Sequence, residues 1–228
     1  MRIFVILILM SLNLFAQNKT YQFTYQFDQE YIHTADKKKS EMNDAVAYEM
    51  NKSYDVNVFS NGEESFIQLT DVVNNSQNNF FLNIKPEPNW FLLNFAKQES
   101  FEKSSNVNQN FRFLQDKIQT KDLVLTGRFR NILGIEAKEY AFKDEDFEYT
   151  YWLGDFNNYT ISPLYDQFDQ QIILEAFSKS IKMENAGGKR EIKYSLKSIE
   201  KQKFNFGKLY PKKYITKVKY LEIINQNQ

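Results

Sequence analysis

Tyr21-Gln22-Phe23-Thr24-Tyr25-Gln26-Phe27-Asp28 sets an aromatic ring at every second position and a polar side chain between each pair. A period of two places alternate residues on opposite faces of an extended chain, so this stretch reads as a strand with one buried face. The same pattern returns at Tyr54–Phe59 and again from Ser65 to Val72, with Asn61-Gly62 between them. Asn-Gly flanked by two such runs is a hairpin signal, because both residues tolerate the positive φ that a tight turn needs.

Outward from these strands, NNSQNN at 74–79 reads as a loop before FFLNI, and KPEPN at 85–89 as a second break. Two prolines there deny both a helix and a hydrogen-bonded ladder. WFLLNFA at 90–96, FRFLQ at 111–115 and LVLTGRF at 123–129 are further strand candidates. IEAKEYAF and FEYTYWLG enclose the acidic turn Asp144–Asp146 and predict a second hairpin. Residues 37–52 are ambiguous between helix and loop. Phe168, Ile172, Ile173 and Ala176 fall at helical spacing and make 166–178 the main helix candidate. The pair Ile172-Ile173 is also compatible with a strand. REIKYSLKSI near 190–199 and the run after Pro211, KYITKVKYLEII, complete the set, the latter as a final strand. The expected fold is mainly β, about ten strands in antiparallel meander order with one or two helices.

Upstream of the first strand, Arg2 precedes an apolar run from Ile3 to Leu12, and Ala16 ends it before Gln17. Charged start, short apolar centre and small residue at the cut are the parts of a secretory signal. The run is too short for a comfortable membrane span, which takes about 20 apolar residues. Residues 1–16 are therefore read as a signal peptide and 17–228 as a single β-rich domain without a membrane span. The expected destination is the periplasm or the outside of the cell. A lipoprotein anchor needs cysteine directly after the cut, and Gln17 stands there, so the mature chain is expected to be free of lipid.

The chain has no cysteine, which excludes disulfides, thiolate nucleophiles and cysteine metal sites. Its 29 basic residues balance 29 acidic ones, unlike the basic excess of a general nucleic-acid binder. Local basic patches occur at Lys37–Lys39 and among Lys208, Lys212, Lys213, Lys217 and Lys219, where a solvated surface is the simpler account. The single histidine, His33, leaves a nucleophilic triad one candidate and a structural zinc site no ligand set. Asp144, Glu145 and Asp146 are adjacent in a turn, where like charges splay into water. Gly187-Gly188-Lys189 lacks the spaced glycines and the hydroxyl of a phosphate loop. No catalytic residue, metal site or cofactor is assigned, and the chain is expected not to be an enzyme.

A binding surface is the remaining expectation. The chain carries 21 Phe and 14 Tyr, residues that favour strands and supply large apolar areas. Trp90, Phe91, Phe95, Tyr151 and Trp152 are candidate liners of an apolar ligand site, with ordinary core packing as the alternative for each.

From Ile132 onward, Ile-Leu-Gly-Ile-Glu-Ala-Lys leads into an alternating strand and an aromatic partner, YTYWLGD. SIKMEN at 180–185 and KSIEKQKFNFGKLYPKKY at 197–214 follow. These segments resemble secreted proteins of unknown function common in Bacteroidetes, the GLPGLI family and relatives placed with the outer-membrane lipoprotein carrier (LolA-like) superfamily. The Gly-Leu-Pro-Gly-Leu-Ile run itself is absent, Ala137 stands where a cysteine is common, and Lys213 replaces a glycine. The resemblance implies a strongly curved antiparallel half-barrel with helices over its concave side. By fold analogy it implies an exported, non-enzymatic protein holding an apolar or lipid-like ligand. The alternative function is a structural or assembly factor of the cell envelope that acts through protein–protein contacts.

Overall fold

The computed structural model describes residues 19–33, 52–69, 90–94, 97, 99–104, 109–113, 122–163, 168, 170–182 and 188–226. The expected leader, the basic triplet at 37–39, all of the ambiguous segment 37–52 except Lys52, and the FFLNI run lie outside them.

Twelve strands form one sheet: β1 (Tyr21–His33), β2 (Lys52–Ser60), β3 (Glu64–Leu69), β4 (Trp90–Asn94), β5 (Glu99–Ser104), β6 (Gln109–Phe113), β7 (Val124–Ile132), β8 (Ile135–Lys143), β9 (Phe147–Gly154), β10 (Ile172–Ser180), β11 (Gly188–Lys201) and β12 (Ile215–Thr216). Their order across the sheet is β12-β6-β5-β4-β3-β2-β1-β11-β10-β9-β8-β7. The chain thus builds one antiparallel meander from β2 to β6 and another from β7 to β11, joined by β1 at the middle. β12 alone pairs in parallel, beside β6.

β1 owes its central place to the alternation that marks it in the sequence. Phe23 lies opposite Val58, Tyr25 opposite Val56 and Phe27 opposite Tyr54 on one side. Against β11, Phe23 meets Ile199, Tyr25 meets Leu196 and Phe27 meets Tyr194. Directly opposed residues share a face, so these rings and aliphatic groups form the main core with Ile67, Leu93, Ile172 and Leu174. Burying each large apolar side chain stabilises the fold by about 1.5–3 kcal/mol. Tyr25 is fully buried, and its phenol donates to the carbonyl oxygen of Ile173 at 2.7 Å. Burial pushes its pKa well above the ordinary value.

Both expected hairpins form. Asn61 Oδ1 accepts from the N–H groups of Glu63 and Glu64 at 3.0 and 2.7 Å, and Gly62 takes the left-handed conformation at φ 89°. At the second turn, Asp144 Oδ1 accepts from the N–H groups of Phe147 and Asp146 at 2.7 and 2.8 Å. The Phe147 bond, then the Asp146 bond, holds the Asp144 carboxyl below its ordinary range.

Three expectations are corrected. Segment 166–178 does not supply a helix: its second half is β10, paired with β9 and β11. Ile172, Ile173 and Leu174 are each fully buried, so both sides of the strand are covered, and a bulge between Ile173 and Glu175 adds a residue. A strand covered on both sides shows a continuous apolar run, which imitates one face of a helix. The run after Pro211 is mostly helical: two residues of β12 lead into α1 (Lys217–Gln226). Thr216 Oγ1 accepts the N–H of Lys219 at 3.3 Å, the bond of a helix N-cap.

The third correction concerns the architecture. The sheet is mostly β as expected, yet it is not the strongly curved, LolA-like half-barrel that the resemblance implied. Its end strands, β7 and β12, do not pair, so the sheet stays open. Among the described residues the one α-helix is α1, and it packs beside β12 and β6 at an edge rather than over a face of the sheet.

The back of the β2–β5 wing is covered by chain instead. Phe59, Phe66, Leu92 and Phe101 form a second cluster, closed by Phe204, Phe206, Leu209 and Tyr210 of the segment that follows β11. Phe204 stacks on Phe59 with ring centroids 4.3 Å apart. Tyr210 accepts from Asn94 Nδ2 at 2.7 Å and donates to the carboxylate of Glu64.

Candidate functional site

The end strand β7 is exposed along nearly its whole length. Val124 is 68% exposed and Phe129 57%, and Leu125, Leu133 and Phe142 are exposed beside them. Leu125 lies opposite Tyr140 and Phe129 opposite Lys138, with a register shift between them at which Gly127 takes φ 82°. Tyr140 lies opposite Tyr151, and Phe142 opposite Tyr149. Leu125, Phe129, Tyr140, Phe142, Tyr149 and Tyr151 thus share one largely apolar face that runs inward from the edge, while Val124, opposite Ala141, lies on the other. Phe142 and Tyr149 have ring centroids 5.7 Å apart, Tyr149 and Tyr151 stack at 6.1 Å, and Tyr151 meets Phe168 edge-on at 5.0 Å. The inner part is a closed core of Tyr151, Leu153, Phe168, Ile173 and Ala176. The outer part is open to solvent.

The other face of the same strands is polar and internally satisfied. Glu139, Trp152 and Glu175 lie in one row across β8, β9 and β10. The guanidinium of Arg130 sits 3.9 Å from the centroid of the Trp152 ring and pairs with the Glu175 carboxylate. Glu139 is only 2% exposed; it accepts from Thr126 Oγ1 at 2.6 Å and pairs with Arg128. Two arginines of β7 thus clip the end strand to β8, β9 and β10. Charge pairs also bind the hairpin below: Lys143 to Glu148 at 2.8 Å and Lys182 to Asp146 at 3.1 Å. The Lys143 hydrogen bond, then its charge, holds the Glu148 carboxyl below its ordinary range.

The five predicted liners are not brought together by the sheet order. Tyr151 and Trp152 sit on β9, and Trp90 and Phe91 on the backbone of β4, with five strands between the two. Phe95 lies outside the described residues. Tyr151 is core, while Trp152 is half-buried under Arg130. A depression of about 320 Å³ beside the β7–β8 turn is lined instead by Gly134, Ile135, Glu136, Lys138, Leu153, Gly154, Asp155 and Gln171. The lipid-binding half-barrel is overturned with the curvature it required: the sheet is open, and its main face is filled by core side chains. His33 closes β1. Among the described residues, no group of three or more His, Cys, Asp or Glu side chains converges on a point, and no helix is long and apolar enough to cross a membrane.

β7 is legible in the sequence as a strand but not as a surface. Leu125 and Phe129 look like core positions until the strand order of the described residues places β7 at the end of the sheet.

No protein-family model matches the chain, and no curated protein matches it. Among solved structures it is similar to PNGF-II in two crystal forms. The C2 form shares 14% identity at a TM-score of 0.53, covering 90% of this chain and 32% of that one. The P21 form shares 15% identity at a TM-score of 0.53, covering 90% and 33%. At these identities the likeness concerns the fold alone. The chain spans about a third of the length of the PNGF-II structures it matches.

Proposed function

We propose that this chain is an exported, non-catalytic protein of the cell envelope that works as a structural or assembly factor through protein–protein contacts. The observation that carries the proposal is the apolar outer face of β7 and β8, where Leu125 and Phe129 stand exposed on the end strand and Phe142 beside them on β8. Exposed apolar side chains grouped at a sheet edge are a marker of interaction surfaces. The register shift at Gly127 interrupts the edge, and such a shift resists continuous extension of a sheet. The partner is therefore a protein that buries these side chains against an apolar surface of its own. Export is supported by the charged, apolar and small-residue parts of segment 1–16, and a non-catalytic role by a sequence with one histidine and no cysteine.

The test is site-specific photo-crosslinking in the native host. A crosslinking side chain at Phe129 is expected to trap one defined protein that the same group at Lys197, an exposed site on β11, does not trap. Phe129→Asp is expected to abolish the complex while the chain stays folded. Equal products from both positions, or none from Phe129, would overturn the proposal.

A further inference from the structure

From Lys201 to Leu221 the chain holds seven lysines, at 201, 203, 208, 212, 213, 217 and 219, and no acidic residue. The fold makes this run a fixed strap. Phe204, Phe206, Leu209 and Tyr210 turn into the cluster on the back of β2–β5, and β12 is tied to β6. With the aromatic side chains facing inward, Lys201, Lys203, Lys208, Lys212 and Lys213 are all left exposed. Three acids on the neighbouring elements are engaged: Glu222 pairs with Lys219 at 2.9 Å, Glu99 with Arg112 at 2.8 Å, and Glu64 accepts from Tyr210.

A second observation lies directly beside these lysines. Tyr214, Val218 and Leu221 are exposed, Val218 by 68% and Leu221 by 46%. Val218 and Leu221 are three residues apart on α1 and so occupy one side of the helix. Apolar side chains raised on a helix and flanked by lysines are the combination that seats a protein on an anionic lipid surface. The cations meet the headgroups, and the apolar groups enter the boundary beneath them.

We infer that the strap 201–213 and α1 form a peripheral docking surface for a membrane rich in anionic phospholipid. The attachment is reversible and spans nothing. It stands apart from the β7 proposal: β7 and β12 are opposite ends of the sheet, so either surface can be tested without the other.

The experiment is co-sedimentation of the protein, purified after export, with two kinds of vesicle. One is pure phosphatidylcholine; the other has equal parts phosphatidylcholine and phosphatidylglycerol. Binding is expected to the mixed vesicles alone and to fall steeply as salt is raised, because surface potentials are screened over a Debye length. Replacing Lys208, Lys212 and Lys213 together by Glu is expected to weaken partition by about a hundredfold or more, at roughly a factor of five for each lysine removed. Val218→Ser with Leu221→Ser, which leaves every charge in place, is expected to weaken it by at least several-fold. Gln at the three lysines serves as a second variant if the Glu set does not fold. Equal binding to both vesicles, binding that survives the lysine changes, or binding to double-stranded DNA or polyglutamate without binding to vesicles would each overturn the inference.

Discussion

The phenol of Tyr25 on β1 donates a 2.7 Å hydrogen bond to the carbonyl oxygen of Ile173 on β10, 148 residues further along the chain. β11 lies between these two strands, so the bond reaches across a neighbour to the site where the β10 bulge starts. A bulge frees a carbonyl from the ladder, and a buried carbonyl without a partner is costly. Tyr25→Phe keeps the ring and removes the donor. Its expected cost is about 1–3 kcal/mol in urea unfolding, with an unchanged denaturant slope.

Gly154, the last residue of β9, has no room for a side chain. A Cβ there would lie 2.7 Å from Ile135 Cγ2, 2.8 Å from Leu174 Cδ1 and 3.0 Å from the Glu136 carbonyl oxygen. The carbonyl is backbone and cannot swing away. Gly154→Ala is expected to destabilise by about 1–3 kcal/mol, read as a lowered midpoint of thermal unfolding.

Arg130 covers one face of Trp152 and holds Glu175 at the same time. Arg130→Ala is expected to cost about 1 kcal/mol and to admit water to the indole, moving the tryptophan emission to longer wavelength. Arg130→Lys restores the charge without the planar stack, and the emission shift is expected to persist.

Burial pushes the pKa of Tyr210 up to about 12 from 10.0, with the Glu64 carboxylate adding to the rise. Below pH 10 the folded and unfolded chains both keep this proton. Above it the unfolded chain loses the proton while the folded chain holds it, so stability contributed by this group is present below pH 10 and is lost as pH rises to about 12. Tyr210→Phe is expected to flatten the alkaline limb of a stability–pH curve relative to the unchanged chain, measured by denaturant midpoints at successive pH values.

Strands with one buried face were legible residue by residue. The rings at 21, 23, 25 and 27 name their own face, and Asn61-Gly62 and Asp144–Asp146 name their turns, because local conformation and turn chemistry are carried by neighbours in sequence. β5 leaves no such mark: Glu99–Ser104 contains one large apolar residue, Phe101, and so shows no alternation. β10 imitates a helix in the sequence because burial on both sides erases the period of two. The curvature was wrong for a different reason. Whether a sheet rolls depends on what covers it, and that is settled by contacts between distant segments, such as the strap over Phe59 and Phe66, that no local pattern records. The candidate surface at β7 was hidden in the same way, since an edge is defined by a missing neighbour.

The central seam has a consequence in time. β1 pairs with β11 along its whole length, Tyr21 against Lys201 to His33 against Gly188, so the first described strand waits for almost the last. Loops this long close slowly, and proteins dominated by such pairings fold late and from largely complete chains. Until residues 188–201 arrive, the aromatic edge of β1 has a neighbour on one side at most. A chain threaded through a membrane from its N-terminus would therefore remain without its middle until nearly all of it had crossed, and the two wings would then lock together in one late step.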